Sequence, residues 1–522
     1  MMYFLLQAVF IPLLLSPLAY YITKKAGVTV GTWFTFGIML YSTVMILIPS
    51  MEGYYYEKYN WHQLGEFGLL LDGLSIPFAI IIYLLSTVLV LYSKPYMMHK
   101  IEEEYEEVQA STQATPIKTV TEVPKQVMNH EMGIYYALYL VFAMGMLATV
   151  LATNLIEFYV FFEVMLVPSF FLVAFYGYGA RRRIALMYLF WTHVGAVVLL
   201  LGLITLGLSA GSFDMADIKE EGIPVDILPL IAAAIIVGLL VKLAIVPFHI
   251  WLPYAHAEAP TPISALLSPA MIGIGGYALL RLITTLMPNT YADVSFWLMV
   301  GGMVTMIYGG AMALMQKDVK RMLAYSSISQ MGYFLFGYSS VSVLGLTGSV
   351  MLYVSHGTGK ALLFMMAGML IMQAHTREFS KLGGLAGKLP ITATTAFIGG
   401  LAIMGIPPTN GFMAEWMLFL GALNTAIEEG STARIVVFSL AMIATAITAS
   451  YILWSIKRIF YGRVREGLEH VKEGSWYMRA PMMFLAILTI VIGIYPDMFT
   501  QVIVPYMQEV LQKGVIEVLG GV

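Results

Sequence analysis

The chain has 522 residues, of which 59% are hydrophobic and 11% charged, with a mean hydropathy of +0.80 and a formal net charge of -3. Soluble domains carry about a quarter charged residues, so we expect most of this surface to face lipid. The net charge is uninformative about nucleic acid, and no basic patch indicates such a partner, so none is predicted. The absence of cysteine excludes disulfides, zinc–thiolate sites, iron–sulfur ligation and cysteine nucleophiles within the chain, and no cofactor or metal is predicted.

About fourteen apolar runs of membrane-spanning length follow one another along the chain. A bilayer core about 30 Å thick needs roughly 20 apolar residues in a helix. The first run lacks the basic start and the A-x-A-like site of a signal peptide, so we interpret it as a retained helix. The runs lie near 3–22, 30–50, 75–96, 134–152, 155–177, 184–209, 227–248, 262–284, 293–315, 322–340, 343–373, 390–421, 432–456 and 479–498.

Two sets of alternating loops differ in charge, which predicts the orientation of the chain. Short cytoplasmic loops carry an excess of Lys and Arg. One set holds Lys24, Lys25, Arg181, Arg182, Arg183, Lys317, Lys320, Arg321, Arg377, Lys381, Lys388, Lys457, Arg458, Arg463 and Arg465. The opposite set holds Glu52, Glu66, Asp214, Asp217, Glu220, Asp226, Glu428 and Glu429. We therefore expect a prokaryotic inner or plasma membrane protein with the basic loops inside and both termini outside.

Two segments outside these runs have a distinct character. Residues 98–133 are charged, contain proline and are poor in large apolar groups, so they predict an exposed cytoplasmic loop. This loop is either simply solvated or a docking surface for a partner subunit. Residues 505–520 are weakly amphipathic and predict a short helix on the outer membrane surface.

Ionisable side chains lie deep inside several of the apolar runs. A charge at the bilayer centre is costly, so such residues are expected to face the protein interior and to serve a function. His356 and Lys360 are four residues apart, on one helix face, and form a plausible proton relay. Burial disfavours the charged form of a lysine and a nearby glutamate favours it, which provides a switch. The embedded residues are Glu163, His193, Lys242, His356, Lys360 and Glu415.

Helix breakers stand close to two of these residues. Pro247 follows Lys242, and Pro407 and Pro408 precede Glu415. Proline removes a backbone donor and disrupts the preceding turn. Interrupted helices at membrane depth are typical of transport pathways, because protein or water must satisfy the freed backbone groups.

The embedded ionisable residues also have structural alternatives to these functional roles. Any single embedded charge could belong to a buried structural pair, but four of them, two near helix breakers, favour transport. His193 on its own is more typical of a packing residue, and Glu157 of an interface residue. His249, His256 and Glu258 either form an entrance or are solvated in a cytoplasmic link. No third ligand accompanies the two histidines, so no metal site is predicted there.

Six segments together resemble the antiporter-like subunits of respiratory complex I, of Mrp-type multi-subunit Na+/H+ antiporters and of membrane-bound hydrogenase-type complexes. The resemblance extends from about Leu71 to about Lys457 and is closest to the M-type and D-type subunits. The segments are NLIEFYVFFEVMLVPSFFL, VKLAIVPFHIWLPYAHAEAPTPISALL, QKDVKRMLAYSSISQMGY, SHGTGKALLFMMAG, HTREFSKLGGL and GIPPTNGFMAEWMLF.

The resemblance implies an all-α polytopic membrane fold. It would have fourteen transmembrane helices, with two inverted five-helix repeats made of the fourth to eighth and ninth to thirteenth helices. The seventh and twelfth helices would be broken. On this basis we divide the chain into an N-terminal part at 1–133, repeats at 134–287 and 288–460, and a C-terminal helix and tail at 461–522.

The resemblance also implies a proton path. Glu163 would pair with Lys242 as a switch, and a proton would enter near Lys242 and His249. It would continue through His356 and Lys360 and leave near Glu415, which matches the M-type subunit.

One departure from the family weakens this path. Gly273 occupies the place where relatives commonly carry an eighth-helix lysine or histidine, and Ser268 is the nearest polar group. Gln330 stands where many relatives have histidine.

The predicted function is that of a proton-translocating subunit of an energy-converting complex, with Na+/H+ exchange as the alternative ion chemistry. Its partners would be other membrane subunits and the lipid bilayer, and any redox chemistry would reside on those subunits. Two alternatives remain open. One is a mainly structural subunit with a degenerate channel, which the glycine at position 273 favours. The other is a transporter that acts alone.

Overall fold

The computed structural model describes residues 3–61, 65–112, 123–218 and 220–514. The α-helices are α1 (Phe4–Ala26), α2 (Val28–Ser50), α3 (Ser75–Thr112), α4 (Lys125–Leu151), α5 (Leu155–Val164), α6 (Leu166–Tyr176), α7 (Arg181–Ala210), α8 (Leu228–Lys242), α9 (Trp251–Glu258), α10 (Thr261–Leu266), α11 (Gly273–Ala278), α12 (Pro288–Leu314), α13 (Val319–Tyr338), α14 (Val343–Ala374), α15 (Pro390–Ile403), α16 (Asn410–Glu428), α17 (Thr432–Phe460), α18 (Trp476–Ile494) and α19 (Asp497–Gly514). Short π-helical segments, Leu267–Met271 and Leu279–Thr284, flank α11. Short 3-10 turns cover Glu220–Gly222, Phe379–Lys381 and Leu385–Gly387.

Length and hydropathy identify a multi-pass membrane protein. Within the described ranges, 11 helical stretches are long and apolar enough to cross a membrane. The three other predicted spans fall on α8, on α13, and on α15 with α16, which are shorter, more polar or interrupted. The count of fourteen spans, like the two inverted repeats, therefore stays a prediction.

Helix α14 occupies the centre of the bundle. Its most apolar stretch is almost completely buried, whereas those of α1 and α17 are only about one-third buried. Glycine allows this close packing: a Cβ atom at Gly348 would lie 2.3 Å from the backbone nitrogen of Leu418 in α16. Because His356 and Lys360 belong to α14, the packing places both at the core of the protein.

Two helical stretches are interrupted at the places that the prolines predict. Helix α8 ends before Pro247 and resumes as α9, and α15 ends before Pro408 and resumes as α16. The residues that turn the backbone away hold similar left-handed conformations, Ala244 with φ of 54° and Gly405 with φ of 64°. The left-handed region costs an alanine more than a glycine, so Ala244 is held there by its surroundings.

The charged segment 98–133 is far more helical than predicted. Helix α3 continues to Thr112 and α4 begins at Lys125, while residues 113–122 lie outside the described part. Ion pairs hold the polar end of α3: Glu104 lies 3.1 Å from Lys100 and 2.5 Å from Arg181. A helix rich in Glu, with a Lys one turn before its Glu, needs no apolar environment to persist.

The predicted cytoplasmic link after residue 248 is also ordered. It contains α9, whose apolar residues pack against α7 and α13. His256 in this helix is completely buried, so of the two alternatives left open, solvation does not apply to it. His249 precedes α9 and remains only partly buried, as an entrance residue would.

A small antiparallel hairpin, not predicted from the sequence, covers the start of α1. Strand β1 (Tyr55–Asn60) pairs with β2 (Glu66–Leu71), with Tyr55 opposite Leu71. The Glu57 carboxylate accepts backbone hydrogen bonds of 2.9 Å from both Leu5 and Leu6. It thereby satisfies free donors at the positive end of α1.

The C-terminal helix begins earlier than predicted. Helix α19 starts at Asp497 rather than near residue 505, and residues 515–520 of the predicted helix lie outside the described range. Tyr506 anchors it, because its hydroxyl accepts a 2.9 Å hydrogen bond from Arg281. Arg281 in turn forms a 2.8 Å buried ion pair with Asp72.

Candidate functional site

Ionisable side chains form a buried series through the bundle. The group comprises three lysines, two histidines and a glutamate, each at most 8% exposed: Lys242, His256, Lys320, His356, Lys360 and Glu415. Charges held in a low-dielectric interior need partners or must exchange protons. Their surroundings therefore decide which of these residues are structural and which are free to act.

Glu163 lies next to this buried series, at the side of the bundle. It lies one residue before the end of α5, where Pro168 cannot donate to the carbonyl of residue 164 and the helix is interrupted. One carboxylate oxygen lies 3.0 Å from Nδ1 of His193 on α7. The Glu163 side chain is 21% exposed and that of His193 51% exposed. The histidine, which the sequence indicated to be a packing residue, is thus the direct partner of the glutamate.

Lys242 lies at the end of α8, within electrostatic range of Glu163. The predicted pair does not form a direct salt bridge, because Glu163 instead bonds to His193. The Lys242 ammonium lies 4.8 Å from the centre of the Phe162 ring, and no hydrogen-bond partner for its Nζ occurs in the described part of the chain. The lysine is therefore held by a cation–π contact and a nearby carboxylate rather than by a closed ion pair.

Two histidines follow Lys242, one between α8 and α9 and one within α9. Nε2 of His249 lies 3.3 Å from the hydroxyl of Tyr308, at the edge of the bundle. His256 lies deeper, with its ring near Trp251 and near Phe364 on α14. Neither ring nitrogen of His256 has a hydrogen-bond partner among the described residues, and Lys320 and Lys360 lie within electrostatic range.

Gly273 leaves no room for the base that relatives carry there. A Cβ atom at this position would lie 2.2 Å from the ring of Tyr353, which stacks on Phe78 with ring centres 4.1 Å apart. The aromatic ring therefore fills the place of the missing side chain. Ser268, named as the nearest polar group, instead bonds to Ser327 on α13 with an oxygen–oxygen distance of 2.7 Å.

Lys360 is fully buried, and it has a polar neighbour suited to proton exchange. Its Nζ donates to the hydroxyl of Ser326 at 2.5 Å, and more weakly to the Leu323 carbonyl at 3.5 Å. His356, one turn earlier on α14, lies within electrostatic range of Lys360 and of His256. The predicted relay pair is thus adjacent, and α14 brings it next to the buried histidine of α9.

A series of hydroxyl groups leads from Lys360 toward Glu415. The Ser326 hydroxyl lies 2.8 Å from that of Tyr451, and Thr448 is close to Tyr451, three residues earlier on α17. Thr448 lies 3.1 Å from the hydroxyl of Tyr333. The carboxylate of Glu415 is within electrostatic range of both tyrosines.

Glu415 opens onto a cavity at the side of the bundle. A Cβ atom at Gly405 would lie 2.5 Å from the carboxylate, so the helix break and the acid fit together only with glycine. The cavity has a volume of about 350 Å³ and is otherwise mostly apolar, with Phe412, Trp416 and Phe438 among its lining residues. A carboxylate at such an edge can exchange protons with a neighbouring polar group.

Sequence reasoning named most of these residues but not the hydroxyl series. Serine, threonine and tyrosine are common in apolar helices and carry no charge signal. Tyr333 and Tyr451 lie 118 positions apart in the sequence, and only the packing of α13 against α16 and α17 brings them together. His256 could have been found, because α9 has an apolar pattern that favours burial over solvation.

Comparison with known proteins identifies similar chains. Residues 152–448 match the family described as NADH:quinone oxidoreductase/Mrp antiporter, TM. The NADH-quinone oxidoreductase subunit M of Rickettsia prowazekii (strain Madrid E) is 30% identical over 465 residues, which cover 87% of each chain. The F(420)H(2) dehydrogenase subunit M of Methanosarcina mazei is 30% identical over 515 residues, which cover 94% of each chain.

Two solved structures share the fold. A chain of respiratory complex I from Thermus thermophilus with bound NADH superimposes with a TM-score of 0.79 at 22% identity, over 98% of this chain and 99% of that one. A chain of the Mrp complex from Dietzia sp. DQ12-45-1b gives a TM-score of 0.79 at 20% identity, over 98% of this chain and all of that one, 100%. At these identities the likeness shows the fold alone.

Proposed function

The chain belongs to the NADH:quinone oxidoreductase/Mrp antiporter transmembrane family, and on this premise we propose that it carries protons across the membrane within a multi-subunit energy-converting complex. It is an antiporter-like membrane subunit whose partners are other membrane subunits. The proposal concerns the ion and the residues that carry it. The observation that supports it most is the hydroxyl series between the buried ammonium of Lys360 and the carboxylate of Glu415.

The hydroxyl series suits protons better than metal cations. A hydroxyl both donates and accepts a hydrogen bond, so consecutive hydroxyls pass a proton by exchanging donor and acceptor roles. A Na+ ion would instead need a cage of oxygen ligands, and the ammonium of Lys360 at the start of the series would repel it. The step is Lys360 to Ser326, then Tyr451, Thr448 and Tyr333, and finally Glu415.

The other half of the path begins at the switch around Lys242. We assign proton entry to the partly buried His249, and loading to Lys242. Its neighbour Glu163 stabilises the ammonium when its charge is free and less when His193 is protonated and pairs with it. The contact between His193 and Glu163 therefore couples α7 to the charge that faces Lys242.

His256 is our candidate for the bridge between the two halves. The ring of Tyr353 fills the position beside Gly273, so a direct route for the proton past this glycine is closed. The buried imidazole of His256 lies within electrostatic range of His356 and Lys360, and its ring nitrogens are not engaged by other described groups. A proton passing through this imidazole would bypass the glycine. Ser268 and Ser327 then serve as packing partners rather than as the bridge.

We assign the membrane as a prokaryotic plasma membrane, with the basic loops inside and both termini outside. The alternation of basic and acidic loops supports this orientation. The similarity to bacterial and archaeal relatives supports the prokaryotic setting. Their names describe an NADH-quinone oxidoreductase subunit and an F(420)H(2) dehydrogenase subunit, so we expect redox chemistry on partner subunits of this chain as well.

The test is the replacement of Lys360 by methionine in the intact complex. Methionine keeps the length and apolar stem but removes the exchangeable proton. We expect proton translocation into vesicles to be abolished or reduced by at least about tenfold, while Lys58→Met on the exposed hairpin has no effect. Lys58 is a suitable control because its side chain is 60% exposed. Normal translocation by the Lys360 variant would contradict the proposed path.

A mainly structural role is the second candidate, and the filled position beside Gly273 favours it. In that case the buried polar groups would hold the bundle together and no proton would cross. The same experiment separates the two functions, because a structural subunit predicts a loss of stability in the Lys360 variant without a selective loss of translocation in complexes that remain assembled.

A further inference from the structure

A group of three side chains of metal-binding types lies at the basic-loop face, outside the buried series described above. Nδ1 of His99 lies 3.6 Å from Oε1 of Glu103, and Nδ1 of His375 lies 3.9 Å from the same oxygen. One donor atom from each residue falls within 4.8 Å of the other two. The rings of His99 and His375 are nearly parallel, with centres 5.7 Å apart.

Local structure explains how these three residues meet. His99 and Glu103 are four residues apart on the polar extension of α3, so both point from one face of the helix. His375 follows the last residue of α14 and holds a left-handed conformation with φ of 49°. Glycine is the usual residue at such a helix end, and a histidine there is strained. Strain of this kind is often kept where a side chain has a function.

The donor set matches a particular class of ion. Two imidazole nitrogens and one carboxylate oxygen are typical ligands of Zn2+ and similar divalent transition metals. Ligand atoms around a tetrahedral Zn2+ are about 3.3 Å apart, given bonds of about 2.0 to 2.1 Å. The two histidine–glutamate separations exceed this by a few tenths of an ångström, and all three donor atoms lie within 4.8 Å of one another, so side-chain rotation is needed to close the site. We propose that His99, Glu103 and His375 bind a divalent transition-metal ion, for which Zn2+ is the best chemical match.

The surroundings provide a route for the ion. The ring of His470 stacks on that of His375, with centres 6.4 Å apart. A cavity of about 540 Å³, open to the surface, is lined by His375, Lys381 and Glu466. The acidic run Glu102–Glu107 on α3 lowers the cost of bringing a dication to this face.

Metal binding here would link the ends of two helices, α3 and α14, that already pack against each other along the bundle. His99 and Glu103 belong to α3, whereas His375 is attached directly to α14, the helix that holds His356 and Lys360. A bound ion would fix the end of α14 to the polar extension of α3. The site does not depend on the proposed proton path, so either proposal can fail without the other.

The test uses the full chain, purified in detergent without a polyhistidine tag and stripped of metal. Equilibrium dialysis against Zn2+ alone, followed by metal analysis, is expected to give about one tightly bound ion per chain. Glu103→Gln and His375→Asn should each weaken that binding by more than about tenfold. Asparagine is chosen because it tolerates the left-handed conformation. Co2+ in place of Zn2+ should give the intense visible absorption of a tetrahedral site.

His130→Ala is the matched control. This histidine also lies on the basic-loop side but contacts the hydroxyl of Tyr20 at 3.0 Å rather than the cluster. We expect it to keep full Zn2+ binding. The proposal is overturned if the unmodified chain binds no Zn2+ beyond the detergent blank, or if the Glu103 and His375 variants bind as well as the His130 variant does. Monodisperse elution of each variant ensures that folded protein is compared.

Discussion

Replacement of Tyr451 by phenylalanine tests the hydroxyl series with a single atom. The tyrosine hydroxyl lies 2.8 Å from Ser326 and close to Thr448, so its removal takes one member out of the hydroxyl series. The gap that it leaves equals about two hydrogen bonds in series, which one water molecule can span. Ordering such a water costs about 0 to 2 kcal/mol. Because 1.4 kcal/mol corresponds to a factor of ten, we expect proton translocation to fall by up to about thirtyfold, and by about fivefold at the middle of that range.

The assay is proton uptake by vesicles that contain the intact complex, followed with a pH-sensitive dye while the partner subunits turn over. Tyr353→Phe is the matched control, since its hydroxyl is buried and has no hydrogen-bond partner among the described residues. Loss of a buried hydrogen bond costs about 1 kcal/mol, so both variants should remain folded. Equal translocation by the two variants, or a larger loss for the Tyr353 variant, would refute the hydroxyl series.

Two further changes test the packing around the path. Asp72→Ala leaves Arg281 buried without its ion-pair partner and should destabilise the chain by about 3 to 5 kcal/mol, visible as a lower melting temperature, whereas Glu66→Ala on the exposed hairpin should have no measurable effect. Burial raises the pKa of Asp72, but Arg281 lowers it more, so the folded-state pKa lies below the usual value. The stabilisation by this ion pair should therefore be complete above about pH 4 and be lost as the pH falls through the folded-state pKa. Gly273→Lys should destabilise the chain by about 1 to 3 kcal/mol through overlap with Tyr353, and Tyr353→Ala in the same chain should relieve part of this loss. A Gly273→Lys variant as stable as the parent would show that the ring does not fill that position.

The sequence was enough to predict the membrane class, the buried charges and the interrupted helices. A lysine within an apolar run of 15 residues, as in α8, has few explanations other than function or a buried pair. Proline fixes where a helix must stop, so the breaks before Pro247 and Pro408 could be placed almost to the residue. These features depend on local chemistry, which a sequence displays directly.

Partners across the bundle could not be predicted in this way. Glu163 was expected to pair with Lys242, but α7 presents His193 at hydrogen-bond distance and takes that place. The bond depends on the rotation of α7 against α5, which no local pattern determines. The same is true of His99 and His375, which lie 276 positions apart and meet only because the polar end of α3 remains helical. Polar helices were mistaken for loops because hydropathy is a guide to burial rather than to helix formation.

The measurement that tests the central claim most directly is proton translocation by the intact complex with Lys242 replaced by alanine. Lys242 is buried, lies at the helix break and is within electrostatic range of Glu163. No other lysine in the described part of the chain combines these three features. If the chain carries protons by the proposed path, vesicles with the Lys242→Ala variant should show little or no proton uptake while the complex remains assembled. Proton uptake equal to that of the unmodified complex would contradict the account.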